Sequence, residues 1–133
     1  MKYMLDTDVF SVLARGRHKA LSSHVSTMGT GQLAVSMVTE GEVRGGQACR
    51  PTPTALDRRI DALLQSMHRL PLTLSVISPY AQLRATLHRL GTPIDPNDLW
   101  IAAHALAEDL ILVTGKDREF ARVPGLRVEN WLR

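Results

Sequence analysis

The sequence predicts an α/β fold with a mainly parallel central sheet and helices on both faces, and three observations lead there. Short apolar runs alternate with amphipathic stretches along the whole chain. Several runs are apolar throughout, as strands buried on both faces are. Acids stand just after those runs, where open parallel sheets place their sites, at the carboxyl ends of strands.

The elements follow in order. Lys2 to Leu5 reads as a strand that passes directly into a helix, because Val9, Val12 and Leu13 recur at helical spacing. Residues 19–28 form a second helical stretch. Leu33 to Met37 is apolar and β-branched behind Gly29, Thr30 and Gly31, and suits a buried strand; Thr39 to Arg44 then starts a helix. Two prolines make 50–54 a loop before the amphipathic helix marked by Leu56, Ile60, Leu63, Leu64 and Met67. Leu70 to Leu74 is expected to be a strand. Ser78 before Pro79 reads as the N-cap of a helix through Leu83, Leu87 and Leu90, ended by Gly91. Asp98 opens an alanine-rich helix after the loop 92–97. Leu110 to Val113 is a strand, Arg118 to Ala121 a helical turn, and Leu126 to Val128 the last strand.

At 133 residues the chain is expected to be one domain, 1–133. Its 44% hydrophobic and 22% charged content argues against wholesale disorder and fibrous architectures. No apolar run reaches the roughly 18 residues of a membrane span and no signal peptide is visible, so the expectation is a cytoplasmic protein. Cys49 is the only cysteine, which excludes an internal disulfide and a cysteine zinc cluster. The formal charge is +3, and 13 of the 16 basic residues are arginine, whose planar fork grips phosphate oxygens in pairs. A polyanionic partner is favoured.

Four acids carry the chemistry. Asp6 follows the first strand, Glu42 lies shortly after the second, Asp98 opens a helix, and Asp117 follows the strand ending at Val113. Taken singly each has a plainer reading as a helix cap, a solvated charge or a turn residue. Together they converge on one edge of such a sheet, where crowded carboxylates take up protons unless a cation offsets them. Oxygen ligands without cysteine or paired histidines select Mg²⁺ or Mn²⁺ over zinc. Such a site suits phosphodiester hydrolysis by an activated water. Arg15, Arg17, His18 and Lys19 form a basic cluster near its mouth, with Arg44, Arg50, Lys116 and Arg118 flanking site segments, and all are candidates to hold phosphates. Ser36 or Thr39 is in position to brace Glu42, although each is more simply a local backbone partner.

The pieces MLDTDV, VSMVTEGEVRGG, PIDPNDLWIAAHAL and LVTGKDREFARVPGLRVENW resemble, in order and over nearly the whole chain, the blocks of the PIN-domain ribonucleases, specifically the VapC-type toxins of toxin–antitoxin pairs. The resemblance implies a PIN-like α/β/α domain that cleaves RNA with Mg²⁺ or Mn²⁺, works as a homodimer and is silenced by a cognate antitoxin. The antitoxin's C-terminal segment would lie in a groove between helices and put an arginine into the acidic pocket. Asp6, Glu42 and Asp98 match the family's first three acids. Many relatives carry an acid two residues after the threonine matching Thr114; here that position is Lys116, and Asp117, one further on, is the expected fourth. Asp8 stands where asparagine is common and Asp95 where glycine is, which makes this site more acidic than usual. By the same resemblance transfer RNA is the first substrate class to test and ribosomal RNA the second.

Two rival readings stand beside this one. LDTDVF also fits the aspartate nucleophile motif of haloacid-dehalogenase-type phosphatases, with Asp6 as nucleophile and Thr114 and Lys116 as phosphate ligands, but the acidic pair that chemistry needs later in the chain is missing. The other rival is a PIN-like module that binds RNA or a protein partner without cutting.

Overall fold

The computed structural model describes residues 1–133. Five strands form one sheet in the order β3-β2-β1-β4-β5, every neighbouring pair parallel: β1 (Tyr3–Leu5), β2 (Leu33–Ser36), β3 (His68–Leu70), β4 (Ile111–Val113) and β5 (Val128–Glu129). Seven α-helices accompany them: α1 (Thr7–Arg15), α2 (Lys19–Met28), α3 (Met37–Cys49), α4 (Ala55–Ser66), α5 (Ile77–Leu90), α6 (Pro96–Ala107) and α7 (Asp117–Phe120). The expected α/β architecture with a parallel sheet is what forms. No helix is long and apolar enough to cross a membrane.

Side-chain alternation along the strands builds two cores. Met4, Ala34 and Leu112 point to one face and pack with Leu83 and Leu87 of α5, Ile101, Ala102 and Ala105 of α6, and Phe120. Leu5, Leu33, Val35 and Val113 point to the other and pack with Phe10, Leu21, Ile60, Leu64 and Trp131. Because both faces are covered, the central strands read as continuous apolar runs. Ala102, Ala103 and Ala105 of α6 lie in the first core at 0% exposure, so their small size lets the helix sit close to the sheet.

Several boundaries differ from the sequence expectation, each for a local reason. The third strand is His68–Leu70 and not 70–74. Pro71 has no N–H to continue a ladder, and His68 and Arg69 are exposed because β3 is an edge strand, so an apolar-run criterion passes over them. The last strand is likewise a short edge, Val128–Glu129, shifted from 126–128, with Val128 half-buried and Glu129 exposed. Ser78 is not the N-cap of α5. That helix starts at Ile77 directly out of a 3₁₀ turn at Leu74–Val76, and Pro79 sits within its first turn, where N–H groups have no intrahelical partner anyway. Asp98 does not open α6: Pro96 does, and Asp95 caps it, its carboxylate accepting from the N–H of Asn97 at 3.1 Å and of Asp98 at 3.4 Å. Gly91 ends α5 as expected, at φ +66, a left-handed conformation that side chains with a Cβ rarely adopt.

β1 lies at the middle of the sheet. The chain builds outward through β2 and β3 on one side, then returns to place β4 and β5 on the other. The order therefore reverses between β1 and β4, and the crevice beyond their carboxyl ends is the topological switch point where such sheets bind ligands.

Candidate active site

Asp6 sits at that crevice, immediately after β1, with 1% of its surface exposed. Both its carboxylate oxygens are held. Oδ1 accepts the N–H of Val9 at 2.8 Å and so caps α1, while Oδ2 accepts the hydroxyl of Thr114, just past β4, at 2.5 Å. The cap reading and the site reading of this residue are thus both true. Burial pushes the Asp6 carboxyl up to about 6 despite the two donors, and the charges of Asp8 and Asp98 push the same way.

Asp98 is freed from capping by Asp95 and stands in the first turn of α6 at 7% exposure. Burial raises its pKa, the ammonium of Lys116 opposes the shift, and the charges of Asp95 and Asp8 add to it. Lys116 Nζ lies 2.9 Å from Asp98 Oδ2 and 3.4 Å from Asp8 Oδ2. Three aspartates from β1–α1 and α6 therefore share one electrostatic field, with a lysine ammonium between two of them.

Glu42, in the second turn of α3, is exposed and reaches this region through Thr7, whose hydroxyl donates to Glu42 Oε1 at 2.7 Å and lies 3.1 Å from Thr39 Oγ1. Thr7, not Ser36 or Thr39, is the brace on Glu42. Ser36 instead accepts the N–H of Val38 and faces His104 Nδ1 at 2.7 Å, which leaves His104 a buried packing residue of α6. Asp117 is turned elsewhere. Its Oδ1 accepts from Asn130 Nδ2 at 3.1 Å and Arg133 Nη2 at 3.0 Å, and the Asn130 hydrogen bond, with Arg133 beside it, holds its carboxyl below the ordinary range. No three acidic, histidine or cysteine side chains stand close enough to form a closed metal cage by themselves. The donor set nevertheless fits a hard divalent ion: it offers only oxygens, and in Asp6 it holds a buried carboxylate whose ionisation is resisted by burial and like charges, the penalty that a cation removes.

The surrounding cations sort into two groups. Arg44 is engaged by Glu40 and Asp61, and Arg50 by Asp57, so both work as struts between α3 and α4. Arg15, Arg17 and Lys19 have no carboxylate partner, and, because α1 carries the chain away from Asp6, they lie at its far end and not at the mouth of the site; His18 caps α2 by accepting the N–H of Leu21. A cleft of about 190 Å³ runs from Thr7 and Glu42 along α1 to Arg15, floored by Phe10, Ala14, Val43, Leu56 and Ile60.

Sequence reasoning placed Asp6, Glu42 and Asp98 near one another but did not find the position of Lys116 between acids, nor the hold of the C-terminal residues on Asp117. For Asp117 a signal was present: Asn130 and Arg133 are polar groups near the chain end, following a strand that runs beside β4.

Comparison with known proteins agrees with the fold. The PIN domain model matches residues 3–126. The chain is 31% identical to Ribonuclease VapC1 of Haemophilus influenzae over 100% of both chains, and 33% identical to Ribonuclease VapC2 of the same species over 99% of both. It is 29% identical to the tRNA(fMet)-specific endonuclease VapC of Salmonella typhimurium, over 98% of both. Among solved structures, DNA-bound VapBC from Salmonella typhimurium superposes with a TM-score of 0.90 at 29% identity, covering 98% of each chain. VapBC-1 from nontypeable Haemophilus influenzae does so at 0.87 and 30%, covering 100% of each. These matches, and not the haloacid dehalogenase pattern, account for the LDTDVF segment: the chain belongs to the PIN-domain family, among the VapC ribonucleases.

Proposed function

We propose that this chain is the toxin of a toxin–antitoxin pair, an endoribonuclease that hydrolyses cellular RNA at the crevice beyond β1 and β4. The observation that carries the reading is the buried Asp6 carboxylate sharing its field with Asp8 and Asp98 at the switch point of a PIN-domain sheet. Asp6 and Asp98 would hold Mg²⁺ or Mn²⁺, with Glu42 contributing from α3, while Asp117, engaged by Asn130 and Arg133, stands outside this set. Such an ion lowers the pKa of water and offsets charge on a phosphodiester in its transition state.

The chain's own residues prepare that site. Thr114 and the Val9 N–H fix both oxygens of Asp6, so it cannot rotate away. Thr7 orients Glu42. Arg15, Arg17 and Lys19, unpaired and at the far end of α1, are placed to take backbone phosphates of the RNA beyond the scissile bond. Transfer RNA is the substrate class proposed first, ribosomal RNA second, and one relative carries transfer RNA specificity in its name. A cognate antitoxin is proposed for the cleft between α1, α3 and α4. Its apolar floor would accept a helix or strand of the partner, and Glu42 at its end would accept an arginine. A homodimer is proposed as well; Leu74, opening the 3₁₀ turn, and Ile77, the first residue of α5, 83% and 56% exposed, supply apolar surface that pairing would cover.

The test is cleavage of total cellular RNA by the purified chain. Cutting that requires Mg²⁺ or Mn²⁺ and disappears in Asp6→Asn and Asp98→Asn, both still folded, supports the reading. RNA binding without any cutting by the wild-type chain would point instead to the non-catalytic module.

A further inference from the structure

Lys116 is the one cation inside an otherwise acidic site, and its place is fixed by the fold. Its main-chain N–H donates to Thr114 Oγ1 at 2.9 Å, and the same hydroxyl donates to Asp6 Oδ2 at 2.5 Å. Its ammonium reaches back to Asp98 Oδ2 at 2.9 Å and Asp8 Oδ2 at 3.4 Å. One end of the residue is thus tied to the first acid and the other end to two more. The lysine side chain is 37% exposed while that of Asp98 is 10% exposed, so the contact lies at the wall of the site and not out in solvent.

Phosphodiester hydrolases that use two ions clamp the attacking and leaving oxygens between them, and each ion also offsets the charge of the carboxylates around it. Here a fixed cation already stands among the acids. Asp6, Asp8, Asp98 and Glu42 bring four negative charges to the site, and the ammonium together with one divalent ion offsets three of them. We propose that Lys116 is a positioning residue whose ammonium, held between Asp98 and Asp8, takes the place of a second divalent ion, so that the site loads one ion per chain. This rests on the carboxylate cluster being the metal site.

The experiment counts Mn²⁺ on the full-length chain by electron paramagnetic resonance and equilibrium dialysis, with circular dichroism as a check on folding. Wild type and Lys116→Arg are expected to bind one Mn²⁺ that is lost in Asp6→Asn. Lys116→Gln, which removes a unit charge beside a double one, is expected to bind about tenfold more tightly. Lys116→Asp is expected to bind two. Two Asp6-dependent ions on the wild type, one ion on a folded Lys116→Asp, or no tightening in Lys116→Gln would overturn the proposal while leaving the metal site standing. Absence of any Asp6-dependent Mn²⁺ would remove the metal site itself and the role of Lys116 with it. Should Lys116→Asp not fold, the wild-type count and the Arg and Gln variants decide the matter.

Discussion

Asp6 divides its work between its two oxygens, one closing the N-terminus of α1 and the other bound to Thr114 across the switch point. The cost is a buried charge. An aspartate in an unfolded chain titrates near 3.9, and this one is pushed up to about 6 in the fold. Between those values the folded state binds more protons than the unfolded one, so the stability Asp6 contributes is fully present below about pH 4 and is lost as pH rises through about 6. In metal-free protein, wild type should therefore lose about 2 to 3 kcal/mol relative to Asp6→Asn between pH 4 and pH 7. Denaturant unfolding with a chelator present measures this, and parallel pH profiles for the two proteins would show that the carboxylate is not penalised. Added Mg²⁺ should shrink the gap, because the ion stabilises the ionised form.

At the scale of elements, α6 shows how a cap can free a neighbour for chemistry. Asp95 takes the capping hydrogen bonds and Pro96 the first helical position, so Asp98 presents its carboxylate to the site. Asp95→Ala should cost about 1 kcal/mol of stability, the usual loss for a helix cap, and weaken Mn²⁺ binding only modestly, whereas Asp98→Asn should weaken it by far more. Thermal unfolding and Mn²⁺ titration separate the two. A larger metal effect at Asp95 than at Asp98 would exchange their roles. The same element marks a limit of sequence reading. Aspartates at 95 and 98 both fit an N-cap, and only the backbone path through Pro96 decides between them. The buried strands β1, β2 and β4 were legible because they are apolar on both faces. The edge strands β3 and β5 were displaced because His68, Arg69 and Glu129 are polar and exposed there, which weakens the apolar-run signal.

For the molecule as a whole, the sheet order brings chain segments more than a hundred residues apart into one crevice, as the Asp6–Thr114 contact shows. The parallel architecture and the nearness of three acids to the strand ends followed from the alternation of elements. The pairing of side chains did not, because Lys116 and Asp117 are adjacent in sequence and only the turn after β4 sends one toward Asp98 and the other toward Asn130. Charge is likewise distributed by the fold: salt bridges occupy Arg44 and Arg50 and leave Arg15, Arg17 and Lys19 for an anionic partner. Arg17→Ala should weaken RNA binding similarly for all sequences and reduce the slope of log affinity against log salt by about 0.7, one single-stranded phosphate contact. An unchanged slope would place the RNA elsewhere.

If carboxylates from distant stretches gather around a divalent ion at the switch point, as proposed, anomalous diffraction from crystals soaked in Mn²⁺ will locate it. The predicted result is a peak within coordination distance of Asp6 and Asp98; a fully loaded crystal with no peak beside Asp6, or with its only peaks on other surfaces, would contradict it.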